Sequence, residues 1–238
     1  MLSKLKFLVT ESIQQWLRHR GREVVRWPLA EHLVKNGISM VIDVGASTGG
    51  YAAGLRSTGY RGRIVSFEPR QEAFRILSRS SEQDALWEAE RLGIGEHPGS
   101  ATIQISSNGD SSSLMPMLEK HLSAAPSVQT IGTEEVIIQT LDEVFERLCK
   151  KEQHVALKID TQGYEMSVLR SGKSCLSRVK LLQIELSLVQ LYEGQPVIEE
   201  VIAYLRTQGF TPIWLMHGFS DPVKRQLLQV DGLFINSL

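Results

Sequence analysis

The stretch VIDVGASTGGY (41–51) decides the fold of this chain of 238 residues. It begins as an apolar run broken by Asp43 and continues with three glycines, Gly45, Gly49 and Gly50. We predict a buried strand that turns into a helix, because glycine adopts positive φ and lets the backbone pass close to a ligand. The free N–H groups at the start of such a helix favour binding of a nucleotide-like ligand.

Short β-rich runs alternate with helical runs on both sides of this stretch. This alternation is typical of a mainly parallel sheet covered by helices on both faces. The predicted helices are 50–59, 70–80, LDEVFERLCK (141–150) with its Thr140–Glu143 capping box, and 196–210. The predicted core strands are 39–45, 62–69, 85–95, 154–160 and 179–187, and SATIQIS (100–106) is predicted as an edge strand.

The last part of the chain changes direction. TPIWLMHGF (211–219) and RQLLQVDGLFIN (225–236) are strand runs joined by a short polar link. Such a link has no room for a crossover helix, so the two strands should pair antiparallel. We therefore predict a Rossmann-like α/β fold with a seven-stranded, mainly parallel sheet and an antiparallel C-terminal hairpin. Residues 39–238 form this domain, and residues 1–38 form a helical segment packed on it.

Composition and charge exclude several classes of function. The formal net charge of -1 provides no bulk attraction to nucleic acid or to anionic lipid. Cys149 and Cys175 lack metal-ligand spacing, and no two histidines have the i, i+4 spacing of one helix face. We therefore predict neither a metal site nor a disulfide framework, and this cysteine usage favours a cytoplasmic protein.

The N-terminal stretch mixes apolar residues with lysine and arginine. MLSKLKFLVTESIQQWLRHRGREVVRW (1–27) has no apolar run long enough for a membrane-spanning helix or a secretion signal. We predict an amphipathic helix packed on the domain, with weak peripheral contact to a membrane as the alternative.

A second acid, Glu68 in SFEP, lies 23 residues beyond Gly45. In a doubly wound sheet, an acid at this distance accepts hydrogen bonds from the ribose hydroxyls of a bound nucleoside. Ser47 stands where a dinucleotide site has its second glycine, which weakens the prediction of a pyrophosphate. An acid two residues before the first glycine, together with the terminal hairpin, instead resembles the S-adenosylmethionine-dependent methyltransferases of the Rossmann-like class, so we predict S-adenosylmethionine as the cofactor. A nicotinamide-dependent oxidoreductase and a noncatalytic protein that keeps the fold are the alternatives.

Six motifs together resemble the FkbM-type methyltransferases, and they cover most of the chain from about Ser39 onward. The most specific is LKIDTQGYEMSVLRSG (157–172), and the others are VIDVGASTGGYA, SFEP, TLDEV, QIELSLVQLYEGQP and DGLFIN. The resemblance implies a class I methyltransferase fold and S-adenosylmethionine-dependent O-methylation of a hydroxyl in a sugar, polyketide or other secondary metabolite. The partner is then a small-molecule or glycan acceptor and not a nucleic acid, while the oligomeric state stays open.

The same resemblance implies the cofactor-binding residues by position. The methionine end of the cofactor lies against the glycine turn, the ribose against Glu68 and Pro69, and the adenine against Leu92 to Glu96, including Gly93. The residues of the turn are Asp43, Gly45, Ala46, Ser47 and Gly49.

LKIDTQGYE (157–165) places the candidate catalytic residues at the end of the fourth strand. Asp160 points to the crevice beyond the carboxyl ends of the strands, where it either orients the acceptor hydroxyl or takes its proton. Lys158 lowers the charge cost of a developing alkoxide, and Glu165 holds the loop or the acceptor. Glu185, which ends the fifth strand, opens onto the same rim.

Two alternatives exist for these residues. In the first, Lys158, Asp160 and Glu165 are an ion-pair cluster that fixes the turn between strand and helix. In the second, Asp160 and Glu185 bind Mg²⁺, which often uses only one or two carboxylates. The polar loop SSNGDSSSL (106–114) is long enough to cover an acceptor.

Overall fold

The computed structural model describes residues 28–149 and 154–236, so the helix predicted over 1–27 lies outside the described residues. The helices are α1 (Leu29–Lys35), α2 (Gly50–Ser57), α3 (Gln71–Ser81), α4 (Glu119–Ala124), α5 (Leu141–Leu148), α6 (Glu165–Arg170) and α7 (Ile198–Thr207), with a 3-10 turn at Leu176–Arg178. The strands are β1 (Met40–Val44), β2 (Arg63–Phe67), β3 (Trp87–Glu90), β4 (Gly93–Ile94), β5 (Gly99–Ser106), β6 (Thr130–Gln139), β7 (Val155–Ile159), β8 (Val179–Ser187), β9 (Phe210–His217), β10 (Ser220–Asp221), β11 (Gln226–Leu227) and β12 (Gln229–Asn236).

Seven strands form the main sheet in the order β3-β2-β1-β7-β8-β12-β9. The pairs among β3, β2, β1, β7 and β8 are parallel, whereas β12 runs antiparallel to both β8 and β9. The predicted Rossmann-like sheet with its antiparallel C-terminal strands is therefore confirmed. The capping box of Thr140 and Glu143 at the start of α5 is also present.

Helices cover both faces of this sheet, as the sequence predicts. One face packs helices α5, α6 and α7 against the strands, through buried residues such as Phe145, Leu169, Leu205, Ile42 and Leu157. The other face packs α1, α2 and α3, through Leu33, Leu55, Leu77, Val41 and Ile64. Each of these large side chains stabilises the fold by roughly 1.5–3 kcal/mol when it is fully buried. Helix α1 thus packs on the domain, while the boundary at residue 39 stays a prediction.

A second, three-stranded sheet departs from the sequence prediction. The run 85–95, predicted as the third strand and its exit, forms β3 up to Glu90, but within the exit Gly93–Ile94 is a further strand that pairs with β6 in the order β4-β6-β5. A Cβ at Gly93 would lie 2.5 Å from Cδ1 of Ile138, so a larger residue there would require the Ile138 side chain to shift. The predicted edge strand 100–106 belongs to this sheet and pairs antiparallel with β6, a strand that the sequence patterns did not predict.

Along the described ranges, no helix combines the length and the apolar character needed to cross a membrane. Both cysteines are buried as free thiols.

Candidate active site

A cleft opens at the carboxyl ends of β2, β1 and β7, which lie side by side in the middle of the main sheet. The chain order reverses here, because β2 lies on one side of β1 and β7 on the other. Ligands of open α/β sheets bind at such a point. The cleft encloses about 750 Å³ of empty space, a volume that includes the part open to solvent.

The turn after β1 owes its glycines to packing. Gly45 has φ +78°, and a Cβ there would lie 1.8 Å from the carbonyl oxygen of Asp160 on the neighbouring strand end. Gly49 precedes α2 with φ +91°, and its Cβ would lie 2.9 Å from Leu77 and 3.0 Å from Trp87. Gly45 therefore lets the turn reach the end of β7, whereas Gly49 serves the hydrophobic core.

Lys158 joins this turn to the end of β7. Its Nζ lies 3.3 Å from Oδ1 of Asp43 and 3.4 Å from Oδ2 of Asp160, and it donates to the carbonyl oxygen of Gly45 at 3.2 Å. Burial by itself would lower the pKa of Lys158, but the carboxylates of Asp43 and Asp160 outweigh it and raise that pKa. Lys158 therefore stays an ammonium that ties two strand ends together.

Asp43 lies opposite Lys158 in the register of β1 and β7, and it is fully buried. Its Oδ2 accepts a hydrogen bond from the Ser66 hydroxyl at 3.0 Å, and that hydroxyl in turn accepts from the Trp87 indole at 3.0 Å. This row of polar contacts explains how a charged residue can occupy the interior of the sheet, since buried charges are paired and hydrogen-bonded.

Glu68 is buried at the end of β2 and lines the cleft. Its Oε2 accepts from the Ser47 amide at 2.8 Å, and its Oε1 accepts from the backbone and guanidinium of Arg70 at 3.1 Å and 2.9 Å. Burial raises the pKa of Glu68, while Arg70 and these N–H donors oppose that effect. The carboxylate is thereby held in one orientation beside the glycine turn.

Asp160 lines the cleft with a side chain that is 37% exposed. Its Oδ1 accepts from Nε2 of Gln162 at 2.9 Å, and its Oδ2 faces Lys158. Of the four predicted catalytic residues, Asp160 is the one whose side chain reaches the cleft.

Glu165 and Glu185 do not line the cleft. Glu165 accepts from the amides of Thr161 at 2.9 Å and Gly163 at 3.0 Å, and burial raises its pKa to about 7. Glu185 accepts from Nε2 of Gln162 at 3.1 Å, and burial, followed by the nearby Asp160 carboxylate, raises its pKa well above the ordinary value. Of the two roles predicted for Glu165, its contacts favour holding the loop.

Residues 107–113, which we call the cover loop, border the cleft. Asp110 accepts from the Ser47 hydroxyl at 3.1 Å, and Ser113 donates to the carbonyl oxygen of Gln162 at 2.6 Å. Asp110 and Ser112 line the cleft directly. The loop thus bridges the turn after β1 and the loop after β7.

The structure places the nine predicted cofactor-binding residues in two groups. Six line the cleft: Gly45, Ser47, Glu68, Pro69, Leu92 and Gly93. Asp43, Ala46 and Gly49 are not part of its lining: Asp43 is paired with Lys158 inside the sheet, Ala46 belongs to the core, and a Cβ at Gly49 would meet Leu77 and Trp87. Sequence reasoning missed the side chains of Arg70, Asp110, Gln162 and Tyr164 as part of the lining. All four stand within or beside the motifs or in the polar loop, so their positions in the sequence carried a signal.

Comparison with known families identifies the chain. A family model described as "Methyltransferase FkbM domain" matches residues 43–212, which is more than half of the chain. The protein belongs to the FkbM methyltransferase family and is an S-adenosylmethionine-dependent methyltransferase. Membership decides against the nicotinamide-dependent oxidoreductase. None of the curated proteins matches the chain significantly.

Several solved structures are similar in fold. Magnesium protoporphyrin IX methyltransferase from Synechocystis is 10% identical over 88% of this chain and 77% of that one, with a TM-score of 0.49. An rRNA methylase from Streptococcus thermophilus is 12% identical over 90% and 98%, with a TM-score of 0.48. 1,6-Didemethyltoxoflavin-N1-methyltransferase from Burkholderia thailandensis is 11% identical over 89% and 77%, with a TM-score of 0.46. Similarities this distant say nothing about the acceptor of this chain.

The cleft fits S-adenosylmethionine in two respects. The buried Glu68 carboxylate supplies charged acceptors for ribose hydroxyls. Leu92, Gly93 and Ile94 add an apolar wall. In the described part of the chain, no group of three or more His, Cys, Asp or Glu residues is arranged to hold a metal ion.

Proposed function

We propose that the protein methylates a hydroxyl group of a sugar, polyketide or other secondary metabolite. The observation that carries this proposal is the placement of Asp160, a partly exposed carboxylate at the cleft. An alcohol oxygen is a poor nucleophile until its proton is accepted, and a positioned carboxylate is a suitable acceptor. The match to the FkbM family supports the same choice.

S-adenosylmethionine, when bound, supplies a methyl group on a cationic sulfur. Glu68, held by Arg70 and Ser47, binds the ribose hydroxyls, and the wall of Leu92, Gly93 and Ile94 receives the adenine. Asp160 would accept the hydrogen bond of the acceptor hydroxyl and take its proton as that oxygen gains the methyl group, and the C–S bond to the methyl group would break with its electron pair left on sulfur. Lys158 does not line the cleft but contributes through Asp160, because its ammonium offsets the negative charge of that carboxylate.

Polar groups around Asp160 support an acceptor that carries several hydroxyls. Asp110, Ser112 and Thr161 border the cleft and offer both donors and acceptors. The cover loop excludes part of the solvent from this region and fixes the side from which an acceptor enters.

We also propose a cytoplasmic location, because both thiols are unpaired and buried.

The test uses labelled S-adenosylmethionine, the purified protein and small-molecule extracts of its source. Tandem mass spectrometry then identifies the atom that gains the methyl group, and we expect an oxygen of a hydroxyl. Methyl groups found solely on nitrogen, sulfur or carbon would refute the proposal. With the acceptor in hand, Asp160→Asn should lower kcat by about 10²–10⁴ with S-adenosylmethionine binding retained, because general-base catalysis is worth that much.

A further inference from the structure

Gln162 has an unusual backbone for a glutamine. Its φ is +54°, in the left-handed region, and Gly163 follows with φ +101°. Residues other than Gly, Asn and Asp seldom adopt this backbone conformation, because their Cβ crowds the following carbonyl oxygen. A glutamine kept at such a position therefore points to a use for its side chain.

Both the amide nitrogen and the amide oxygen of that side chain form hydrogen bonds with other residues. Nε2 donates to Oδ1 of Asp160 at 2.9 Å and to Oε2 of Glu185 at 3.1 Å. Oε1 accepts from the Tyr192 hydroxyl at 2.9 Å. The two amide hydrogens thus match two carboxylates, and the amide oxygen matches a hydroxyl donor.

Tyr192 extends this chain of contacts to the cover loop. Tyr192 is fully buried. Its hydroxyl also donates to the carbonyl oxygen of Ser111 at 3.1 Å, so Ser111 and Gln162 share its one hydrogen. The carbonyl oxygen of Gln162 accepts from Ser113 in the same loop. The amide orientation of Gln162 is therefore determined from the cover loop as well as from Asp160.

We propose that Gln162 is the positioning residue that sets the orientation of the Asp160 carboxylate toward the acceptor hydroxyl. This inference rests on the function proposed for Asp160. Lys158 holds Oδ2 and Gln162 holds Oδ1, so the carboxylate cannot rotate away from the cleft. An amide suits this role because it donates two hydrogen bonds without adding charge, whereas a glutamate would repel both neighbouring carboxylates.

The test is Gln162→Glu, which keeps the shape of the side chain and removes its two donors to the carboxylates. We expect kcat to fall at least 50-fold. The acceptor KM and the Kd of S-adenosylmethionine, the latter measured by calorimetry, should each stay within threefold of wild type, which would show that the folded site is retained even though the repulsion lowers Tm. Gln83→Glu, on the exposed turn after α3, makes the same charge change outside the site and serves as the control. Gln162→Asn keeps the donors and tolerates the left-handed backbone but is one methylene too short, so the same loss is expected.

A double-mutant cycle with Asp160→Asn separates positioning from a structural role. If Gln162 acts through Asp160, then Gln162→Glu should change kcat less than threefold once Asp160 is already replaced. Losses that multiply, or a kcat within threefold of wild type in both Gln162 variants, would overturn the proposal. Full turnover of Asp160→Asn alone would instead remove the proposed function, so the two failures are distinguishable.

Discussion

The turn after β1 and the loop after β7 lie side by side at the cleft, yet they are held in opposite ways. The turn after β1 is shaped by the absence of side chains, since Gly45 passes against the carbonyl oxygen of Asp160. The loop after β7 is shaped by side chains, since Glu165 accepts its amides and Gln162 ties it to its surroundings. The comparison teaches that one region tolerates no added atoms, whereas the other depends on particular functional groups.

Adding a methyl group to the first region should have the largest effect. Gly45→Ala forces Cβ to within 1.8 Å of backbone on β7 at a positive φ. We expect the free energy of unfolding to fall by about 3 kcal/mol or more, measured by urea denaturation. Gly54→Ala is the matched control, because no atom lies within 4 Å of its Cβ and alanine stabilises a helix by roughly 0.5–1 kcal/mol over glycine. Equal stabilities for the two variants would show that the turn is not constrained by packing.

The loop after β7 should make the free energy of unfolding depend on pH. The pKa of Glu165 in the folded protein is about 7, above its ordinary value of 4.5, because of burial. The folded state therefore binds this proton more tightly, so its contribution to stability is present below pH 4.5 and is lost as the pH rises through 7. At about 1.4 kcal/mol per pKa unit, the free energy of unfolding should fall by about 3 kcal/mol across this window.

Glu165→Gln should remove that part of the pH dependence, which urea denaturation at several pH values between 4.5 and 7.5 would measure. Glu199→Gln replaces an exposed carboxylate at the start of α7 and should leave the slope of wild type. A Glu165→Gln curve that parallels the wild-type curve would mean that Glu165 titrates normally.

A smaller effect is expected where the first region meets the cofactor. Glu68→Gln removes the charge that accepts the Ser47 amide, and it removes the charge proposed to bind the ribose. Hydrogen bonds to charged groups are worth about 1.5–3 kcal/mol, so S-adenosylmethionine should bind about 10–100-fold more weakly by calorimetry. Glu72→Gln, exposed on α3, should bind the cofactor as wild type does. If Glu68→Gln bound the cofactor with unchanged affinity, the Glu68 carboxylate would serve to hold Arg70 and the turn after β1 and would not bind the ribose.

The sequence predicted the main sheet well because its central strands β1, β2, β7 and β8 are short, largely buried runs. The strand β8 has the predicted bounds, Val179–Ser187, and the others differ by a few residues. Strand β6 escaped prediction because most of TIGTEEVIIQ (130–139) is exposed, and Val136 and Ile138 are its buried side chains. A strand whose first half faces solvent on both sides leaves no period-2 pattern to recognise.

The residues of the site divide in the same way. Gly45, Ser47, Glu68 and Asp160 line the cleft as predicted, since strand ends and their acids are visible in sequence order. For Lys158 the sequence left open a role at the acceptor and a place in an ion-pair cluster, and the structure shows its Nζ among Asp43, Asp160 and the Gly45 carbonyl. Which face of a strand end a side chain occupies depends on the register of its neighbours, and register is a property of paired strands.

By itself, the sequence determined the class of fold, the family and the strand ends that hold the chemistry. Hydrophobic runs, glycine spacing and acidic residues are local features, and local features can be recognised from the order of residues in the sequence. Only the tertiary structure decided that Gly49 serves the core and that Glu165 holds a loop. It alone joined Gln162 to Asp160, Glu185 and Tyr192. Such contacts join residues as many as 30 positions apart, and a side chain selects among possible partners only when packing brings them within hydrogen-bond distance.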